Sequence, residues 1–209
     1  FVVKVSETLD LKAAAPLLCA GITTWSPLRH WKVGPGQKVG VIGLGGLGHM
    51  GVKFAKALGA HVVMITTTPE KGADAKRLGA DEVLVSRDPA QMKAHAGSFD
   101  FLLNTIPVGH DTNPYMALLK RDATMCLVGV LTELDPPLTG GSVIFGRKHL
   151  TGSAIGGMAE TQEMMDFCAE HGIVSDVEMI DIKNVSKWYG SFQVLTDCTT
   201  TIKKGEVVV

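Results

Sequence analysis

Between Lys38 and about His171, short apolar runs alternate with amphipathic stretches. The runs are Lys38–Ile42, His61–Ile65, Glu82–Val85, Phe99–Leu103, Thr124–Val128 and His149–Ser153, each four or five residues long. Most are rich in Val, Ile and Leu and are continuous rather than alternating, the mark of strands covered on both faces. The stretches Gly48–Leu58, Glu70–Leu78, Ala90–Ala96, Asn113–Leu119 and Thr161–His171 have helical spacing. In the first of them Val52, Ala55 and Gly59 form one close-packing face, with Lys53 and Lys56 pointing away. Gly59, Gly79 and Gly172 follow helix ends, where a left-handed cap is wanted. Strand–helix alternation with short connections predicts an α/β fold, a Rossmann-type doubly wound parallel sheet of six strands.

The two ends read differently. Ala13–Cys19 predicts a short helix or turn, and Thr23–Trp31 a helix leading to the turn Gly34-Pro35-Gly36. After Ile173 the βα rhythm stops. Two extended runs follow, Met179–Val185 and Glu206–Val209, with turn candidates at Tyr189-Gly190-Ser191 and Lys203-Lys204-Gly205. The expected division is a dinucleotide-binding domain over 1–178, with 1–37 as its lead-in, and a hairpin-like tail over 179–209.

Composition narrows the function. Hydrophobic residues make up 45% and charged residues 20%, ordinary for a soluble globular protein. With 20 basic against 21 acidic side chains the net charge is −1, which gives no electrostatic reason to expect nucleic acid or an anionic membrane as partner. No apolar run approaches the roughly 20 residues that span a bilayer, and no charged-then-apolar leader opens the chain at Phe1-Val2-Val3-Lys4. Cys19, Cys126, Cys168 and Cys198 lie far apart without a C-x-x-C pair. That spacing implies neither a disulfide framework nor a self-contained zinc site, and it fits a reducing cytoplasm.

The chemistry concentrates at Gly43-Leu44-Gly45-Gly46-Leu47-Gly48, a G-x-G-x-x-G string. A strand runs into it and a helix runs out of it, the context in which such a string binds a dinucleotide. Gly43 permits the tight turn, Gly45 lets the backbone approach a pyrophosphate, and Gly48 lets the helix pack closely on the strand. The free amides at the helix start then face the phosphates. Coenzyme choice is read at the end of the second strand, where NAD-preferring sites place a carboxylate. Here Thr66-Thr67-Thr68-Pro69-Glu70-Lys71 stands instead. Hydroxyls and the Lys71 ammonium suit a 2′-phosphate; Glu70, after Pro69, is expected in the first helical turn, where the dipole favours it. NADP is therefore expected over NAD.

Ala15-Pro16-Leu17-Leu18-Cys19-Ala20-Gly21-Ile22-Thr23, the Gly43–His49 turn, Gly79-Ala80-Asp81, Ser153-Ala154-Ile155-Gly156-Gly157 and Glu160-Thr161-Gln162-Glu163 resemble zinc-dependent medium-chain alcohol dehydrogenases over roughly residues 1–180. The group they resemble is the cinnamyl-alcohol-dehydrogenase-type, NADP-dependent aldehyde reductases. The resemblance implies that Gly43, Gly45, Gly46, Leu47 and Gly48 hold the pyrophosphate and that Thr66, Thr67 and Lys71 bind the 2′-phosphate. It implies that Thr23, Val128, Gly129, Ser153 and Ile155 surround the nicotinamide and its ribose, and that Cys19 matches the third protein ligand of the catalytic zinc. It also implies pairing of two copies through the last strand of the sheet, within Val143–Ile155.

The catalytic domain that supplies the family's other zinc ligands is not in this sequence. Cys19 alone is not a ligand set, and it is expected to be a small buried hydrophobe. The seven histidines, His30, His49, His61, His95, His110, His149 and His171, have no His-x-x-x-His spacing and are expected to be ordinary surface or core residues. Residues 180–209 resemble the opening strands of an ATP-binding cassette ATPase of the amino-acid-importer type, with Tyr189 matching the aromatic that stacks on adenine. No G-x-x-x-x-G-K-[ST] follows, so no triphosphate cradle is present. The expected function is NADP(H) binding without hydride transfer; the alternative is a truncated or chimeric fusion with a stable fold and no selected activity.

Overall fold

The computed structural model describes residues 2–129 and 133–204. The lead-in contributes α1 (Leu11–Ala14), a 3-10 turn (Ala15–Leu18) and α2 (Ala20–His30). There follow β1 (Lys38–Ile42), α3 (Gly46–Ala57), β2 (His61–Thr66), a 3-10 turn (Pro69–Lys71), α4 (Gly72–Arg77), β3 (Glu82–Val85), α5 (Pro89–Ala94) and β4 (Phe99–Asn104). The chain continues through α6 (Asn113–Leu118), β5 (Leu119–Leu127), α7 (Gly140–Ile144), β6 (His149–Gly152) and α8 (Met158–His171). Last come β7 (Glu178–Tyr189) and β8 (Phe192–Lys204).

The six expected strands form one sheet in the order β3-β2-β1-β4-β5-β6, and every pairing in it is parallel. The order reverses between β1 and β4, so their carboxyl ends open onto a crevice where doubly wound sheets bind ligands. Alternate residues of the strands feed two cores. Val39, Val41, Phe101 and Leu103 join Trp25, Met50 and Phe54 on one face, while Ile42, Val63, Ile65 and Leu102 join Tyr115 and Met116 on the other. Burial on both faces explains the unbroken apolar runs. Gly59, Gly79 and Gly172 take φ values of +90°, +111° and +65°, the left-handed caps expected after the three helices.

Three departures have physical causes. Residues Gly21–Leu28 of α2 are all buried, so the lead-in is part of the core: Trp25 stacks edge-on against Phe54 at 5.3 Å. β5 begins at Leu119 rather than Thr124, because exposed Lys120, Arg121 and Asp122 extend the strand past a bulge and mask its apolar pattern. In the tail, Glu178 and Met179 pair with Lys204 and Lys203, so no turn forms at those two lysines. The Thr- and Val-containing run from Phe192 is instead a strand, turned at Gly190 with φ +61°. The expected strand Glu206–Val209 lies outside the described residues, as does the Tyr189 side chain.

Candidate functional site

β1 ends at Ile42, and Gly43 turns the chain at φ +92°, a conformation that favours glycine. Its N–H donates to the Ile65 carbonyl at 3.0 Å, tying the turn to β2. A Cβ on Gly48 would fall onto the Gly43 carbonyl oxygen, so the approach of α3 to the strand end demands glycine there. Gly45 and Gly46 are exposed, and a Cβ on either would meet nothing within 4 Å. Leu47 is half-buried. α3 starts without a side-chain cap, and its first amides have no intrahelical acceptor.

The end of β2 divides the expected phosphate ligands. Thr67 is exposed, but Thr66 is buried, and its Oγ1 accepts the Thr68 N–H at 3.3 Å. Thr66 therefore shapes the bend rather than facing outward beside Thr67: it is the last strand residue, and its side chain falls on the core side. Thr68 occupies the cap position of the following turn with no side-chain cap bond, and Glu70 sits in the first turn as expected. Lys71 is exposed, and its Nζ donates to the Leu44 carbonyl at 3.4 Å. That contact carries an ammonium from the second strand's end to the glycine turn.

At the other end of the crevice, the Val128 and Gly129 N–H groups donate to the Asn104 carbonyl at 2.9 and 3.3 Å. A Cβ on Gly129 would land on the Ile106 carbonyl oxygen. The Ser153 N–H donates to the Leu127 carbonyl at 3.0 Å. Ile155 has φ +49° and is 61% exposed; a β-branched residue held in the left-handed region is a strained arrangement of the kind found at ligand-facing sites. Thr23 is buried on α2, where its N–H donates to the Cys19 carbonyl at 3.1 Å.

Sequence reasoning missed the side chains that brace these loops. The Thr105 hydroxyl shares its one proton between the Ile42 and Gly43 carbonyls, at 2.8 and 3.0 Å. Asn104 Oδ1 accepts the Ile106 N–H at 3.2 Å. Its amide nitrogen lies 2.9 Å from His110 Nε2, while His110 Nδ1 lies 2.8 Å from the Val108 carbonyl. A ring nitrogen facing a carbonyl must carry the proton, so Nε2 accepts from Asn104. Glu160 accepts from the Gly157 N–H at 2.9 Å and from the Ser26 hydroxyl at 3.1 Å, joining α8 to α2. Glu160 belongs to a motif of the family resemblance, but no motif marks Asn104, Thr105 or His110; the one signal of Asn104 and Thr105 is a polar residue placed directly after an apolar run.

Beside the turn lies a cleft of about 430 Å³ whose wall includes Gly45, Gly46, His49, Lys71, Arg77 and Asp176. Lys53 was expected to point outward. Instead its Nζ donates to the Val174 carbonyl at 2.7 Å and pairs with Asp176, which Arg77 also contacts. The segment after α8 passes close enough to draw Lys53 in. Burial opposes ionisation of Asp176, but Lys53 and Arg77 outweigh it and hold the carboxyl below its ordinary range. Burial is the main cause that lowers the pKa of His49, whose Nε2 is buried without a partner among the described residues.

Cys19 is exposed, at the cap position of α2, which corrects the expectation of a buried hydrophobe. The junction between the 3-10 turn and α2 directs it away from the core. Cys126 and Cys168 are buried, and burial pushes each thiol up to about 12, so both stay protonated and inert. Among the described residues no group of three or more His, Cys, Asp or Glu side chains could hold a metal ion. One thiol does not fit the ligand set of a catalytic zinc.

Comparison with known proteins agrees with this fold. A family model described as zinc-binding dehydrogenase matches residues 46–170. Aldehyde reductase YahK of Escherichia coli is 56% identical over 180 residues, covering 86% of this chain and 52% of that protein. A cinnamyl alcohol dehydrogenase structure from Sorghum bicolor superposes with TM-score 0.81 at 48% identity, covering 84% of this chain and 50% of the other. The structure of CAD from Helicobacter pylori complexed with NADP(H) gives TM-score 0.75 at 40% identity, with 83% and 49% covered. The chain thus spans about half the length of these relatives. Among the described residues no helix is long and apolar enough to cross a membrane.

Proposed function

The chain belongs to the zinc-binding dehydrogenase family, and from that premise we propose that it is a coenzyme-binding domain taking NADP(H) in preference to NAD(H). One observation carries the preference. The strand end that would hold a ribose-binding carboxylate presents the Thr67 hydroxyl and the Lys71 ammonium, and the ammonium reaches back to the glycine turn. In this reading the open amides of Gly45, Gly46 and Leu47 bind the pyrophosphate, and Thr67 and Lys71 take the 2′-phosphate while Thr66 shapes their bend. Gly43 and Gly48 set the turn, and Thr23, Val128, Gly129, Ser153 and Ile155 border the nicotinamide. The NADP(H) in the Helicobacter pylori structure supports the choice.

Bound nicotinamide supplies a hydride donor or acceptor for alcohol–aldehyde interconversion. The described residues bind and orient that coenzyme; the zinc ligands that would polarise a carbonyl are not assembled from them. We propose coenzyme binding without turnover by the described residues and, separately, residence in the cytoplasm and a homodimer formed along β6. Titration with NADPH, followed by nicotinamide fluorescence, tests the reading: a saturable response is expected, tighter than for NADH. The absence of saturation at millimolar coenzyme would leave the alternative, a truncated or chimeric fusion with a stable fold and no selected activity. An alcohol or aldehyde assay with metal analysis tests the lack of turnover, and activity with stoichiometric zinc would overturn it.

A further inference from the structure

We propose that Thr105 is the positioning residue of the pyrophosphate turn. The proposal rests on the NADP(H) reading above and assigns a side chain that the glycine pattern does not contain. Gly43 lies between two strand-end anchors: its N–H is held by the Ile65 carbonyl at 3.0 Å, and its carbonyl accepts the Thr105 hydroxyl at 3.0 Å. The same hydroxyl reaches the Ile42 carbonyl at 2.8 Å, and the Thr105 N–H bonds that carbonyl too, at 3.0 Å. Thr105 is only 7% exposed, so water does not readily replace its hydroxyl. It also packs against both structural glycines, since a Cβ built on Gly43 or Gly48 would stand 3.0 or 3.4 Å from its Oγ1.

The consequence concerns the peptide plane between Gly43 and Leu44. Glycine at positive φ has soft torsions, and a buried carbonyl without a donor carries a desolvation penalty that reorienting the peptide can relieve. Such a rotation turns the carbonyl outward, toward the space the phosphates would occupy, and turns the amide away. The Thr105 hydroxyl removes that incentive. It holds the carbonyl inward beneath α3, so that the face left open carries N–H groups. The 2′-phosphate groups, Thr67 and Lys71, follow the second strand, and neither is hydrogen-bonded to Thr105; Lys71 reaches the turn only through its 3.4 Å contact with the Leu44 carbonyl.

That separation supplies the test. NADPH, 2′-phospho-ADP-ribose and 2′-AMP are titrated against the full chain and its Thr105→Val, Thr105→Ala and Thr105→Ser variants, with thermal unfolding measured for each. Thr105→Val is expected to weaken the two pyrophosphate-bearing ligands by about five- to tenfold, the effect of about one hydrogen bond, with 2′-AMP affinity unchanged. Thr105→Ser, which restores the hydroxyl, should bind within about twofold of the unsubstituted chain. Thr105→Ala gives the same comparison without added shape if valine does not fold. Equal affinities across the variants, or a loss for 2′-AMP as large as for NADPH, overturn the proposal. A parent chain that binds none of the three overturns the coenzyme reading along with it, so the two failures are distinguishable.

Discussion

At the scale of single residues, Lys71 is the sharpest lever on coenzyme preference. Its ammonium is exposed and bonded to one carbonyl at 3.4 Å, so it can turn to an incoming anion at small cost. Lys71→Ala is expected to raise the NADPH dissociation constant about tenfold, a charge-assisted contact weakened by exposure, and to change NADH binding by less than about twofold, since NADH lacks the extra phosphate. Paired fluorescence titrations check both; equal losses would exclude the 2′-phosphate role. Gly48→Ala tests sterics alone. The added methyl collides with the Gly43 carbonyl, so a loss of about 1–3 kcal/mol in urea unfolding is expected, in the range of overpacked cores. These glycines were legible because a turn, a close approach and a helix start each leave a characteristic residue in a characteristic order. Thr66 and Thr105 were not. Three consecutive threonines look alike in sequence, and only the fold buries Thr66 while leaving Thr67 exposed. Thr105 meets Gly43 across 62 residues of chain, a separation no local pattern encodes.

At the scale of elements, the parallel sheet was readable because its central strands, β1, β2 and β4, bury both faces and so carry unbroken apolar runs. Elements defined by contact with distant chain were harder to read, and Asp176 shows why. It lies just after α8, yet it joins Lys53 of α3, which the helical pattern alone points away from the core, to Arg77 of α4. Asp176→Asn should lower the Tm at neutral pH by about 2–4 °C, the response of a chain this size to roughly 1 kcal/mol, the screened strength of a partly exposed pair. The pH dependence has a defined sign. The folded carboxyl titrates below its ordinary value of 3.8, so its stabilisation is complete above that value and disappears as pH falls through the folded value. The gap in Tm between the variant and its parent should therefore close on acidification below about pH 4. A gap that persists in acid would show that packing, not charge, joins the helices.

At the scale of the whole molecule, β6 sets how copies of the chain can meet. It pairs with β5 on one side, and among the described residues no strand pairs with it on the other. It is short, and its four residues are at most half-buried. Ile144 and Phe145, at the end of α7 just before it, are 72% and 80% exposed. Backbone donors and acceptors along a free edge invite another strand, and large apolar side chains next to such an edge gain from being covered. A two-fold pairing of β6 with its copy would satisfy both needs at once and extend the sheet across the axis, because an isologous contact uses the same patch twice. Sedimentation equilibrium at micromolar concentration is then expected to return twice the chain mass. Ile144→Lys with Phe145→Lys should return the single-chain mass while leaving NADPH affinity within about twofold, since no expected coenzyme contact lies on α7 and like charges facing each other across the axis oppose association. A parent chain that sediments as a monomer would rule out the edge-to-edge dimer. A dimer that survives the double lysine variant would move the interface away from α7, to another surface of the domain or to the β7–β8 hairpin.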